Sequence, residues 1–343
     1  MTVGTWEPPA SWTRILAIDA HTEGEPLRVV LAGFPQEGGD SILERRRRTQ
    51  QSHDHLRRAL MWEPRGHPDM YGCLVGPPVT PDADFGVLFT HNEGFSTMCG
   101  HGIIGVVTVM LECGVLDRSG DAPDVVIDTP AGLVRARAHR VDGRVRRVSF
   151  VNVASFAARL DATVEVDGLG AVRYDLAYGG AFYAYVDARD FGLALEPHET
   201  PRLTDLGRRI KEAVQASDPP EHPDDTDLGF MYGTIFVGAA RQEGGHSRNV
   251  CVFADGEVDR SPTGTGVSGR LALHHARGEI AEGEEITIES ILGTSFSARI
   301  VGVDRVGAFD AVVPEVSGRA WVTARSEFLI DPEDPLGGGF LLR

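Results

Sequence analysis

The sequence predicts an α+β protein made of two pseudo-symmetric halves, each a curved, mostly antiparallel sheet around one central buried helix. Three observations lead there. A heptapeptide pattern occurs twice, as Cys99-Gly100-His101-Gly102-Ile103-Ile104-Gly105 and as Thr263-Gly264-Thr265-Gly266-Val267-Ser268-Gly269, and each copy opens an apolar, helix-like run. Strand-like segments precede and follow both copies in the same order. A chain of 343 residues is long enough for two domains of ordinary size. Two facing helix ends, one headed by a thiol and one by a hydroxyl, then describe a single site at the interface of the halves.

The elements follow in order. RILAIDA and LRVVLAG read as two short strands around the turn HTEGEP. SILERRRRTQQSHDHLRRALM reads as a surface helix whose apolar positions are Ile42, Leu43, Leu56, Leu60 and Met61, with the run Arg45 to Arg48 on its solvated face. HPDMYGCLVGPP and ADFGVLFT are strand-like and lead to the loop HNEGFSTM. In GHGIIGVVTVMLECG almost no polar face remains, so this helix must be wrapped by other structure, and Gly114 stands where a C-terminal cap belongs. The second half repeats the order: RVRRVSFVNV, AVRYDLAYGGAFYAYVDA, FMYGTIFVG and RNVCVFADG lead through EVDRSP into TGTGVSGRLALHHARG, a helix ended by Gly278. LTDLGRRIKEAVQAS reads as an exposed amphipathic helix and ASDPPEHPDDTD as a surface loop. The division expected is residues 1–157 for the half carrying Cys99, with 318–343 returning to it, and 158–317 for the half carrying Asp259 and Thr263.

Composition excludes several classes of function. The net charge of −17, with no basic stripe beyond Arg45 to Arg48, argues against nucleic acid as a partner. MTVGTWEPPASWTRIL lacks a basic start followed by an apolar core, and no run of about 18 apolar residues follows, so a soluble, cytoplasmic protein with no membrane partner is expected. Cys73, Cys99, Cys113 and Cys251 show no CxxC spacing, which points away from a zinc site or a disulfide framework. Lys211 is the only lysine, and its place on an exposed helix argues against the Schiff base of a pyridoxal enzyme.

Both heptapeptides contain GxGxxG, but a loop separates each from the preceding strand, and VLDRSGDAPD after Gly114 is no second parallel strand. The other use of such glycines is an anion site, in which free N–H groups and the helix dipole hold a carboxylate. The same field favours thiolate at Cys99, the condition for cysteine to act as a base. Cys73, Cys113 and Cys251 are read as buried small hydrophobes. Asp259 either caps its turn or accepts a hydrogen bond from a substrate amine, and His101 either orients a carboxylate, donates a proton or fills the first helical turn. His21 and Glu23 in HTEGEP read as turn residues near the cleft rather than metal ligands, and no metal is expected.

HTEGEPLR, PRGHPDMYG, FTHNEGFSTMCGHG, YGGAFYA and RNVCVFADGEVDRSPTGTG resemble the proline racemase family along essentially the whole chain. The resemblance implies the fold of diaminopimelate epimerase and a small imino acid as substrate, and a homodimer is compatible with that fold. Racemases and epimerases of this family are similar to two-cysteine machines, whereas Thr263 stands here at the second cysteine's place. An alkyl hydroxyl is too weak an acid to exchange protons near pH 7. The subgroup with this Cys/Thr pair resembles dehydratases of trans-3-hydroxy-L-proline. That resemblance implies cofactor-independent loss of water to pyrroline-2-carboxylate, with Cys99 and Thr263 as catalytic residues. The carboxylate would lie against N–H groups of Gly100, His101, Gly264 and Thr265, and Asp259 would hold the ring nitrogen. Proline racemase or 4-hydroxyproline epimerase activity is the first alternative, and a non-catalytic imino acid binding protein a more distant one.

Overall fold

The computed structural model describes residues 6–342. Residues 1–5 of the stretch read for a targeting signal, and Arg343 at the end of the returning segment, lie outside the described residues. Four α-helices organise the described residues. α1 (Ile42–Met61) carries the chain from strand Glu25–Ala32 to Tyr71–Gly76, and α2 (Gly100–Glu112) from Phe85–His91 to Asp124–Thr129. α3 (Thr200–Ser217) links Phe182–Asp187 to Met231–Gly238, and α4 (Gly264–Ala276) links Ser247–Phe253 to Glu285–Glu289. Each of these four pairs of strands is parallel. Parallel neighbours cannot be joined by a hairpin, so each needs a long crossover, and the helix fills it. The remaining strand pairs are antiparallel, as in Thr13–Thr22 with Glu25–Ala32. That hairpin consumes most of HTEGEP: only Glu23 (φ 48°) and Gly24 (φ 103°) form the turn, and the positive φ at both is what a tight two-residue connection requires.

The strands close around the two apolar helices. Ser155–Val166, Gly170–Tyr178, Phe182–Asp187, Met231–Gly238, Ser247–Phe253, Glu285–Glu289, Ser295–Val306 and Phe309–Gly318 pair in that order, and the last pairs back to the first through Ala311 and Val312. The result is a closed, barrel-like sheet, and α4 packs against five of its strands. A second array runs from Ala320–Ile330 through Thr13–Thr22, Glu25–Ala32, Tyr71–Gly76, Phe85–His91, Asp124–Thr129 and Gly132–Val141 to Arg144–Val151, and α2 packs inside its curve. Ala320–Ile330 zips onto Thr13–Thr22 along that strand's whole length. Phe309–Gly318 belongs to both arrays, pairing with Arg144–Val151 as well, and residues 157 and 158 lie within the single strand Ser155–Val166. Every residue of α2 from Gly100 to Leu111 is buried, and one apolar cluster runs continuously from Ile103, Ile104 and Val107 to Val267 and Leu271 of α4.

Two surface readings change. Arg46 donates twice to the Phe95 carbonyl, and Arg57 is buried with hydrogen bonds to the His91 and Asn92 carbonyls, so α1 anchors the loop that leads to Cys99. Lys211 is half-buried, its ammonium bonded to the Ala254 carbonyl, because an aliphatic stem can lie on apolar surface while its head finds an acceptor. The acidic loop is pinned where His222 meets the Tyr178 ring, 4.5 Å between centroids. No helix among the described residues is long and apolar enough to cross a membrane.

Candidate active site

The two heptapeptides meet at their first glycines. A Cβ built on Gly100 would stand 2.5 Å from the Gly264 Cα, and one built on Gly264 would stand 2.7 Å from the Gly100 Cα. Only glycine allows the helix ends to approach this closely. The later glycines of each pattern face enclosing side chains instead, Gly105 toward Leu27 and Gly269 toward the Tyr185 hydroxyl, so close packing inside the sheets accounts for the spacing that resembles a dinucleotide fingerprint.

Cys99 is the N-cap of α2. Its backbone is extended (φ −150°, ψ 110°), and its sulfur accepts a hydrogen bond from the Gly102 N–H at 3.2 Å, one of the helix donors left without an intrahelical partner. His101 Nδ1 lies 3.2 Å from the same sulfur. Thr263 holds the equivalent place before α4 in a different manner. Its φ of 66° is a left-handed conformation that costs a β-branched residue on the order of 1–3 kcal/mol, and its Oγ1 is buried without a hydrogen bond of ordinary geometry. Backbone strain and a hydroxyl without an ordinary hydrogen-bond partner thus coincide at this one residue.

Both helix ends open into one small cavity of about 20 Å³, room for about one water molecule. All seven residues singled out from the sequence line it: Cys99, Gly100, His101, Asp259, Thr263, Gly264 and Thr265. Asp259 is buried, and its Oδ1 accepts from the Ser261 N–H at 2.7 Å in a local turn, which leaves the rest of the carboxylate toward the cavity it lines. His21 and Glu23 do not reach the cavity. His21 stacks on Trp321 at 5.0 Å and accepts from the Gly24 N–H, while Glu23 accepts from the Arg319 N–H.

Tyr71, Tyr183, Tyr232, Phe253, Met98 and Cys251 complete the wall, and sequence reasoning missed them. Tyr71 and Tyr232 carried a signal, since Met70-Tyr71-Gly72 and Met231-Tyr232-Gly233 repeat one tripeptide at the strands that follow α1 and α3. Their hydroxyls meet at 3.4 Å, and the Tyr71 hydroxyl lies 2.6 Å from Ser96 Oγ. Tyr183 pairs with Thr265 Oγ1 at 2.7 Å. Cys251 is therefore a wall residue and not simply a core one, and Cys113 is exposed where a buried residue was expected, because the helix has already ended there.

The electrostatics also depart from expectation. Burial holds the Cys99 thiol well above its ordinary range, the nearby Asp259 carboxylate pushes it the same way, and the Tyr71 hydroxyl and Gly102 N–H only partly oppose them. The helix end alone would favour thiolate, but desolvation in a cavity this small is the larger effect. Burial likewise lowers His101 to about 4, so its imidazole is neutral near pH 7. Glu25 is fully buried beside this network. Its Oε2 accepts from the Arg260 N–H at 2.6 Å, its Oε1 has no partner, and burial with the charge of Asp259 holds it protonated well above the usual carboxyl range.

The chain is similar to known proteins over nearly its whole length. The family model described as "Proline racemase" matches residues 17–341. A "Trans-3-hydroxy-L-proline dehydratase" of Colwellia psychrerythraea is 49% identical, with 98% of this chain and 96% of that relative covered. A "3-hydroxyproline 2-epimerase" of Burkholderia multivorans is 44% identical, with 95% and 97% covered. Among solved structures, a hydroxyproline epimerase from Agrobacterium vitis with bound trans-4-hydroxy-L-proline superposes with a TM-score of 0.91 at 33% identity, over 96% of each chain.

Proposed function

The chain belongs to the proline racemase family, and we propose that it is a hydro-lyase that dehydrates trans-3-hydroxy-L-proline to pyrroline-2-carboxylate without a cofactor. The observation that carries this reading is the asymmetry of the cavity, an ionisable sulfur at Cys99 facing an alkyl hydroxyl at Thr263. One face of a bound imino acid meets a base, and the other meets a group that cannot return a proton near pH 7. Inversion needs two exchanging groups, whereas elimination of water needs one base.

The substrate carboxylate lies against N–H groups of Gly100, His101, Gly264 and Thr265, at two abutting helix ends that also stabilise the charge growing as the α proton leaves. Asp259 holds the ring nitrogen as a cation. That cation offsets the carboxylate field which, with burial, keeps the empty-site thiol protonated, so binding itself lowers the cost of forming the Cys99 thiolate. Cys99 removes the α proton, the 3-hydroxyl departs as water, and the enamine tautomerises to the cyclic imine. A cavity of about 20 Å³ cannot admit an imino acid as it stands, so the half carrying Cys99 and the half carrying Thr263 must part for entry and close on the ligand. Closure excludes water from the thiolate and strengthens every contact around it.

The test is incubation with trans-3-hydroxy-L-proline, trans-4-hydroxy-L-proline and L-proline in turn. A cyclic imine from the first alone supports dehydration. Inversion, with solvent deuterium in both stereoisomers, would support the epimerase reading that the Burkholderia relative's name suggests. Cys99→Ser separates enzyme from binder: an enzyme loses turnover and largely retains its ligand.

A further inference from the structure

The stereochemistry of the substrate restricts the group that protonates the leaving oxygen. In trans-3-hydroxy-L-proline the 3-hydroxyl is trans to the carboxylate, so it lies on the same ring face as the α hydrogen. A base that reaches that hydrogen has the leaving oxygen on its own side. With Cys99 as the base, Thr263 faces the opposite side of the ring and is out of reach of the departing hydroxyl.

Of the cavity-wall residues with a proton to give, His101 and Tyr71 bear directly on the Cys99 sulfur, and the Tyr232 hydroxyl meets that of Tyr71. His101 lies against the sulfur, but its imidazole is neutral near pH 7, and a neutral imidazole is a weaker acid than a phenol. Tyr71 lies beside both: its ring meets the His101 ring edge-on at 4.6 Å, and its hydroxyl is close enough to the Cys99 sulfur to ease ionisation of the thiol. Burial keeps the phenol protonated. Ser96 Oγ at 2.6 Å and the Tyr232 hydroxyl at 3.4 Å fix its oxygen in place.

Resting on the dehydratase reading, we propose that Tyr71 is a catalytic residue that passes a proton from Cys99 to the departing 3-hydroxyl on one face of the ring. The Cys99 thiolate takes the α proton as the C2–H bond breaks. The C2=C3 bond forms from that electron pair, the C3–O bond breaks, and the leaving oxygen takes the phenolic proton of Tyr71 to become water. The phenolate then recovers the proton from the Cys99 thiol. Both side chains return to their starting forms, and the proton lost from C2 leaves in the water.

Tyr71→Phe keeps the ring and removes the relay. It is assayed on three reactions, each first measured with the unaltered enzyme: dehydration of trans-3-hydroxy-L-proline, chloride loss from trans-3-chloro-L-proline corrected for the spontaneous rate, and α-deuterium exchange into L-proline. Dehydration should fall by roughly 100-fold or more. Chloride needs no proton to leave and exchange needs only the Cys99 thiolate, so both should fall only by what losing the Tyr71 hydroxyl costs ionisation of that thiol, at least tenfold less than dehydration falls. Unchanged dehydration by the variant overturns the relay, and so does a parallel fall in all three reactions, which would make Tyr71 a wall residue only. An unaltered enzyme that leaves trans-3-hydroxy-L-proline intact overturns the dehydratase reading itself, a result distinct from either.

Discussion

Gly264→Ala tests whether the reaction depends on the direct approach of two helix ends. The added Cβ would stand 2.7 Å from the Gly100 Cα and 3.2 Å from the Gly100 carbonyl carbon, while ordinary contact begins at 3.4–4 Å. The obstacle is backbone, so no rotamer change relieves it, and the helix ends must separate by roughly 1 Å. A displacement of about that size at a reacting centre costs on the order of 100-fold in rate. Overpacking of this kind costs about 1–3 kcal/mol of stability. Dehydration kinetics and thermal unfolding should therefore diverge, with kcat/KM falling about 100-fold while Tm falls by only a few degrees. Gly238→Ala is the control, because its Cβ would press on the tip of Leu195, at 2.8 Å from Cδ1, which can rotate and does not line the cavity. It should cost stability with a smaller loss of rate. Gly264→Ala with unaltered kcat/KM would show that the closeness of the helix ends is incidental.

Three further outcomes are expected. Thr263→Cys places a thiol on the second face and should introduce measurable epimerisation at Cα, seen as deuterium incorporation with inversion; its absence would show that the second face lacks access to the substrate. The free enzyme must lose a proton from a Cys99 thiol held above its ordinary range, so kcat/KM should climb with pH beyond about 8.5, while kcat, measured with the substrate cation beside Asp259, should level off at lower pH; coincident profiles would contradict the role given to that cation. Glu25 is raised in the folded state, so its contribution to stability is complete below the unfolded pKa of about 4.3 and is lost as pH rises toward the folded value. Glu25→Gln keeps an acceptor for the Arg260 N–H and removes the titration, so the fall in Tm from pH 5 to 8 should be smaller than in the unaltered protein.

The parts of the site legible in the sequence are those written locally. Cys99 and Thr263 each head a glycine-spaced helix start, and helix caps are short-range devices that a heptapeptide can display. The closure of the sheet was not legible, since it rests on Ala311 meeting Phe156 and Val312 meeting Ser155, pairings across more than 150 residues. The ionisation state of Cys99 was missed for the same reason. Its dehydrated surroundings come from Tyr71, Tyr232 and Phe253 on separate strands and from the carboxyls of Glu25 and Asp259, and no local window contains them together. Tyr71 and Tyr232 were visible as a repeated tripeptide, but an aromatic residue at the head of an apolar strand reads as core until the fold turns it toward a cavity.

The repeat within the chain also indicates how such a site separates binding from reaction type. The first glycines, the backbone N–H groups at both helix ends and the Met-Tyr-Gly tyrosines recur in the two copies, and they form the walls and the helix ends proposed to hold the carboxylate. Three features do not recur: Asp259 comes from the loop before α4 alone, His101 stands opposite Thr265, and the residue heading the helix is a thiol in one copy and a hydroxyl in the other. The recurring groups are backbone or aromatic, so exchanging the head residue alters what happens to the α proton with little change in what the cavity can hold. On that account the strained φ of Thr263 is informative. Its backbone stays in a conformation unfavourable for a β-branched residue while its hydroxyl remains unpaired, which is the state expected where the geometry of the second helix end, and not the comfort of the residue occupying it, dictates the structure.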